Sequence, residues 1–440
     1  MAATVPSSEV LAPQISKAGW WALVASWLGW MFDGYETYGL VLVMAPAVHQ
    51  LLAPERPPNE SVYIGGLLAV TMVGWAAGGV AAGVIADYIG RRRTLMLSIL
   101  CYAVFAGLAA ISWDYWSLLT FRFLTGLGLG AEWGPGAAIV AESWPPASRG
   151  RVGGALHAAY GVGMLLASGI WLLLNPLGPS SWRYMFFIGI IPAFLLLYVR
   201  RWVDEPALWV ASNRDRREVQ KRLESGSGCS SEDGKLVQFT LTRILSDREM
   251  RRRVGILLLM SITTVVGWWS ASTWIPEYAT HLRTHAQLSS STVGLMFSVG
   301  SIAGFLALGF LADIFGRKPI IWLYYLGALV FSLSYFLLVR ERNGLLIMAA
   351  GAGFFSSGQF AWMTIYLPEL FPTRVRGTAM SLVFDSSRSI AGLGPLLAGW
   401  LISLFGGIGT AAAMMSLIYI VGLLVTPFAG PETKGITLPA

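Results

Sequence analysis

Six ionisable side chains stand inside long apolar runs, where charge is costly. Asp33 and Glu36 lie in FDGYETYG (32–39), with the uncharged runs Trp20–Met31 before them and Leu40–Val48 after them. Arg122 and Glu132 lie in the apolar run 116–141, and Asp385 and Arg388 in 377–402. A charged side chain at the centre of a membrane-spanning helix costs on the order of 3 kcal/mol and usually faces a bundle interior or water. Such groups are therefore functional candidates. A buried carboxyl near a movable guanidinium can take up and release a proton, and a guanidinium can hold a carboxylate in a fork. The alternative for Asp385 and Arg388, three residues apart, is mutual neutralisation on one helix. For Glu36 the alternative is a hydrated place near a cavity mouth. Glu277 sits at the end of its run, where water reaches it.

The elements that must position these groups are long apolar helices. The chain has 440 residues, 55% hydrophobic and 12% charged, against roughly 25% charge in soluble domains. About 20 apolar residues span a bilayer as a helix, and twelve such runs occur: 20–49, 62–86, 94–112, 116–141, 152–174, 184–199, 254–280, 291–312, 319–339, 344–368, 377–402 and 408–429. Aromatics crowd their ends, as with Trp20, Trp21, Trp113, Tyr115, Trp116 and Trp182. The pattern predicts an all-α polytopic membrane protein of twelve transmembrane helices. Residues 1–19 carry no cleavable signal pattern. Cys101 and Cys229 support no disulfide framework, and the tripeptide Asn59-Glu60-Ser61 carries no weight as a glycosylation site. The net charge of +7 reflects topology: of 31 Lys and Arg, 24 fall in the even-numbered loops and the tails, five in odd loops (Arg56, Arg183, Arg283, Arg340, Arg342) and two within spans. The positive-inside rule then places both termini in the cytosol, and no nucleic-acid partner is needed to explain the charge.

The chain divides into a tail (1–19), a six-helix half (20–199), a central loop (200–253), a second six-helix half (254–430) and a tail (431–440). ESGSGCSSEDG (224–234) reads as a flexible, solvated connector. The halves repeat: GVIADYIGRRR (83–93) returns as GFLADIFGRKP (309–319), ESWPPASRG (142–150) as ELFPTRVRG (369–377), and Glu205 after span six as Glu432 after span twelve. Parallel six-helix repeats place a substrate site near the midplane between two rocking halves. GLGLGAEWG (126–134) contains a GxGxxG-like string, but it lies within a span rather than between a strand and a helix. Its glycines are expected to let helix backbones approach.

The doubled G-x-x-x-D-x-x-G-R-[RK] loop resembles the signature of the major facilitator superfamily, and the resemblance covers essentially the whole chain. RFLTGLGLGAEWGPGAAIVAESWPPASRGR (122–151) is similar to the branch of sugar porters and metabolite:proton symporters. With FDGYE in the first span, the chain looks most like proton symporters of organic acids, the sialate/lactate and aromatic-acid groups. That resemblance implies a twelve-helix carrier, monomeric, in a bacterial inner membrane. It would take a small organic anion (sialic acid, monocarboxylate or aromatic acid) in with protons, driven by the proton gradient and without a metal, nucleotide or covalent step. Alternatives are a sugar or polyol proton symporter and a drug or metabolite antiporter. The resemblance matches Asp33 to a proton-carrying acid that faces the arginine matched by Arg122, with Glu132 and Glu36 as further proton sites. Asp87, Arg91, Arg92, Glu142 and Arg149, repeated as Asp313, Arg317, Glu369 and Arg376, would latch the cytosolic gate. His157 stands where sugar porters carry glutamine, and their Asn/Gln-rich seventh span is absent, which weakens a pyranose site. Arg388, His157, Asp385, Tyr35 and Trp269 are the substrate-binding candidates. Tyr38, Tyr160, Trp268 and Trp362 are further cavity candidates, although most aromatics must only pack.

Overall fold

The computed structural model describes residues 16–52, 60–225, 234, 237–281, 288, 290–391 and 401–439. Arg56, Arg283, Cys229, Asn59, most of the N-terminal tail and most of the connector 224–234 lie outside the described residues. Twelve membrane helices form two sets of six. The first set is α1 (Lys17–Leu51), α2 (Glu60–Ile89), α3 (Arg91–Ala110), α4 (Tyr115–Ser143), α5 (Arg149–Leu174) and α6 (Trp182–Trp202). The second is α7 (Arg248–His281), α8 (Ser290–Phe315), α9 (Arg317–Leu338), α10 (Arg342–Leu370), α11 (Arg376–Ala391) and α12 (Ile408–Phe428). Among the described residues, nine helices are long and apolar enough to cross a membrane. The other three are α1, α4 and α11, which carry the six intramembrane charges.

Small residues set the helix contacts, because without a hydrophobic drive between helices in lipid, close packing supplies the association. A Cβ on Gly126 would lie 2.3 Å from the Thr71 carbonyl oxygen, and one on Gly130 1.9 Å from that of Trp75. These glycines of the 126–134 run clamp α4 to α2, as expected. In the second half Gly300 and Gly304 of α8 meet the Ala350 and Phe354 carbonyls of α10 in the same way. The halves themselves meet along two glycine-lined pairs. Gly83 of α2 faces the Gly377 carbonyl of α11, and Gly154 of α5 faces the Phe305 carbonyl of α8. The repeated loop glycines, Gly90 and Gly316, have φ of 107° and 100°, a region that side-chain-bearing residues rarely enter.

Beside the connector, the central loop carries a docked helix. A helix at Ala207–Glu224 docks on the bundle, and its Arg216 is buried. Arg216 donates to the carbonyls of Asp87 at 3.0 Å and Arg374 at 3.5 Å, so it touches both halves. An arginine-rich surface segment gives no sequence sign of which guanidinium turns inward.

Gly130→Val forces a side chain into the α2 backbone and should destabilise the protein by about 3 kcal/mol or more. Gly169→Ala, at a position with no atom within 4 Å of the new Cβ, should not. The melting temperatures of the two detergent-purified variants check this, and equal values would contradict the packing account.

Candidate functional site

The charges of the first half form a column beside α1. Asp33 and Glu36 are 0% and 2% exposed. Glu36, not Asp33, meets Arg122: Arg122 Nη1 donates to Glu36 Oε2 at 3.0 Å. This corrects the expected Asp33–Arg122 pair and the hydrated place for Glu36. Glu36 also packs on Gly189 of α6, and Arg122 lies 5.1 Å from the Phe186 ring centroid. Asp33 instead feels Glu132, Arg388, Glu36 and Asp385. The Glu132 carboxylate packs on Gly29, one turn before Asp33 on α1. None of the four carboxylate oxygens of Asp33 and Glu132 has a hydrogen-bond partner among the described residues.

Between the halves lies a narrow cavity lined by residues of both, the concave, mostly apolar kind of place where small molecules bind. Trp30, Trp75, Tyr160, Trp268, Trp269 and Phe360 supply aromatic walls, and Arg388, His157, Ser301 and Ser357 supply polar atoms. The Arg388 guanidinium lies 3.7 Å from the Trp75 centroid and 4.1 Å from that of Phe384, a cation held on aromatic faces. Its nearest acid, Asp385, is 4.0 Å away, too long for a hydrogen bond. Thr364 donates its hydroxyl hydrogen to a backbone carbonyl, so His157 Nδ1 donates to Thr364 Oγ1 at 3.0 Å. His157 Nε2 has no partner among the described residues.

Arg388, His157 and Trp269 thus share the cavity, joined by Tyr160 and Trp268. Four expected members do not line it. Tyr35 donates to the Met185 carbonyl at 2.9 Å, tying α1 to α6. Asp385 is fully buried against Gly79 of α2 and acts on the cavity through Arg388. Trp362 donates to Thr264 inside the second half. Tyr38 is half-buried and also lies off the lining.

At the end of the bundle that carries the termini, the repeated loop charges join the halves twice. Asp87 accepts from Gly377 N at 3.1 Å, Thr378 N at 2.9 Å and Thr378 Oγ1 at 2.7 Å, at the start of α11. Asp313 accepts from Gly150 N at 3.0 Å and Arg151 N at 2.9 Å, at the start of α5. Each acid meets the positive end of a helix from the opposite half. Glu142 takes one arginine from each half, Arg91 at 3.3 Å and Arg376 at 2.7 Å. Glu369 does the same with Arg317 at 3.0 Å and Arg149 at 3.2 Å. These pairs are buried rather than exposed, and breaking a buried pair costs about 3–5 kcal/mol. Arg92 is the exception: its guanidinium donates to the Arg200 carbonyl in its own half.

The repeated Glu205 and Glu432 gain a role that the sequence did not give them. Glu205 accepts from the backbone N–H of Arg91 and Arg92, and Glu432 from those of Arg317 and Lys318, fixing the helix starts that hold the paired arginines. Burial pushes the Glu205 carboxyl above the usual carboxylate range, opposed by these N–H donors. The repeat Glu205/Glu432 was the available signal. The tail after α12 also crosses the gate. Thr433 donates to Glu369, the Ile436 carbonyl accepts from Arg149, and the Pro439 carbonyl accepts from Arg376.

Known proteins share this architecture. The profile of the family described as "Sugar (and other) transporter" matches residues 21–440. A putative metabolite transport protein of Haemophilus influenzae is 32% identical over 430 residues, 97% of this chain and 99% of that one. A probable 4-methylmuconolactone transporter of Cupriavidus pinatubonensis is 29% identical, over 97% of this chain and 93% of that one. The solved proton:xylose symporter XylE superposes with a TM-score of 0.73 at 20% identity, over 97% of this chain and 98% of that one, a likeness of fold. The doubled charge cluster at the termini end, the cavity between two six-helix halves and the match over nearly the whole chain place this protein in the sugar (and other) transporter family of the major facilitator superfamily, a membrane transporter and not an enzyme.

Proposed function

We propose that the protein imports a small organic anion with protons across a bacterial inner membrane, as a monomer with both termini in the cytosol. The observation that carries this reading is Arg388: a guanidinium laid on aromatic faces at the cavity, with no carboxylate of the described residues in hydrogen-bond reach. A substrate carboxylate would complete it, and the aromatic walls suit an apolar or cyclic body. His157 Nε2 offers a second polar contact. The relative named for 4-methylmuconolactone, itself a small cyclic compound, is in keeping with this class.

Coupling follows from the column beside α1. The Asp33 carboxyl on α1 and the Glu132 carboxyl of α4, which packs on Gly29 one turn before Asp33, are suited to hold a proton between them. Asp33 senses both Glu132 and the substrate-binding Arg388, so filling Arg388 with an anion changes the field at the proton site. The proton gradient supplies the energy, and no cofactor takes part. The charge pairs at the termini end close the cytosolic side, and the halves rock open when these pairs part.

External addition of benzoate, nicotinate, muconate, lactate, N-acetylneuraminate or xylose to weakly buffered, de-energised cells tests this reading. One of the acids should alkalinise the medium, and Asp33→Asn or Arg388→Gln should reduce that response about 100-fold. No alkalinisation with any acid, or a response to xylose alone, would sink it. The gate has its own test. Asp87→Asn weakens the cap on α11 and should favour the inward-open form, so a cysteine at Ser381, which is buried against Gly83 and Gly134, should label several-fold faster from the cytosolic face. Unchanged labelling would count against a latch.

A further inference from the structure

The Asp33–Glu132 pair borders more than the substrate cavity. A second, smaller cavity of about 210 Å³ of unfilled space lies inside the first half, lined by Ser26, Trp30, Glu132, Trp133, Ala137 and their neighbours. Its position follows from the helix directions. On α1, which starts at the termini end, Ser26 and Trp30 precede Asp33. On α4, which ends there, Ala137 follows Glu132. The cavity therefore sits on the termini side of both acids. It is polar where Glu132 borders it, and it has room for about one water.

The protonatable groups descend toward it in order. Glu36, Asp33, the Glu132 carboxylate at the level of Gly29, and Ser26 follow one another along α1, a path of about 15 Å at 1.5 Å per residue. Ser26 donates to the Gly136 carbonyl at 3.2 Å, which leaves its oxygen lone pairs for water. The charged and titratable groups beside this path come from four helices besides α1: Tyr102 of α3 near Glu132, Arg122 of α4 on Glu36, Tyr160 and His157 of α5 against Trp30, and Asp385 and Arg388 of α11 near Asp33. Trp30 borders both cavities. Its ring lies 6.4 Å from that of Trp133 and 5.2 Å from that of Tyr160, centroid to centroid, forming an aromatic wall between them.

We propose that the coupling proton reaches the cytosol by a route of its own, through the first half, while the substrate leaves between the halves. The inference rests on the symport reading above. The proton passes from the Asp33 carboxylic acid to the Glu132 carboxylate, then to a single water in the smaller cavity, which hands it on past Ser26 to water at the termini end. Asp33 is left ionised and Glu132 returns to its starting form. Trp30 keeps this water from the substrate, so the anion and the proton part company at the inner wall of the first half.

Filling the smaller cavity separates the two routes. Ala137→Leu on α4 and Leu156→Phe on α5 add bulk there, and neither residue borders the substrate cavity. In right-side-out vesicles we would measure radiolabelled benzoate, or nicotinate, muconate or lactate where the wild type takes that acid instead. Accumulation driven by a pH gradient should fall about tenfold or more, while exchange of internal for external acid at equal pH, which needs no proton release, stays near the wild-type rate. Gradient-driven accumulation that persists in a folded variant would overturn the route. A parallel loss of exchange in both folded variants would show that the two paths are one. Two variants on different helices guard against the misfolding of either. Failure of the symport reading looks different: the wild type itself would accumulate none of these acids, and both proposals would fall together.

Discussion

A charge inside a helix bundle in lipid has to be answered by another charge, a donor or a water-filled space, and this protein meets that constraint in three distinct ways. At the termini end the answer is complete: every repeated carboxylate there has arginines or helix-start N–H groups as partners. Beside α1 it is divided. Glu36 is answered by Arg122, while Asp33 and Glu132 are left with each other. At the central cavity it is withheld, since Arg388 rests on aromatic rings with Asp385 just out of hydrogen-bond range. Satisfied charges hold a shape. Unsatisfied ones wait for a proton or an anion.

This division follows the internal repeat. Groups present in both halves, such as Asp87 with Asp313 and Glu142 with Glu369, make interlocking contacts from one half to the other. Groups without a twin in the other half occupy the first half's interior and the cavity. α1, α4 and α11 carry all six unrepeated charges, and glycines draw their neighbours onto them. Gly29 makes room for Glu132, Gly79 for Asp385 and Gly189 for Glu36.

The fold was legible because its signals are long and redundant: twelve apolar runs, two copies of the loop motif, and basic residues sorted by loop. The cluster of charges at the termini end was legible because its spacing recurs. The pairing inside the first half was not. Asp33 and Glu36 are three residues apart, so they lie on nearly one side of α1, and a long arginine can reach either. Which one it reaches depends on the height at which α4 crosses α1, and that is set by glycine contacts rather than by the acids. Arg91 and Arg92 point in directions about 100° apart on the same helix, which separates a gate residue from one that serves its own half. Tyr35 shows the limit for aromatics: its type suits a cavity wall, but Met185 on α6 offers its hydroxyl an acceptor first. The docking of Arg216 was hidden for a related reason, since its neighbours Arg214 and Arg217 have the same composition and stay exposed.

The account's central claim is that a proton held by Asp33 and Glu132 is linked to an anion held by Arg388. Linkage requires that each change the affinity for the other by the same factor. The affinity of the purified protein for the acid that it transports, measured calorimetrically across about pH 5 to pH 9, tests this without a membrane. The account predicts an affinity that varies with pH in the wild type and becomes flat in the Asp33→Asn/Glu132→Gln double variant. A wild-type affinity independent of pH, or a double variant with the wild-type profile, would contradict it.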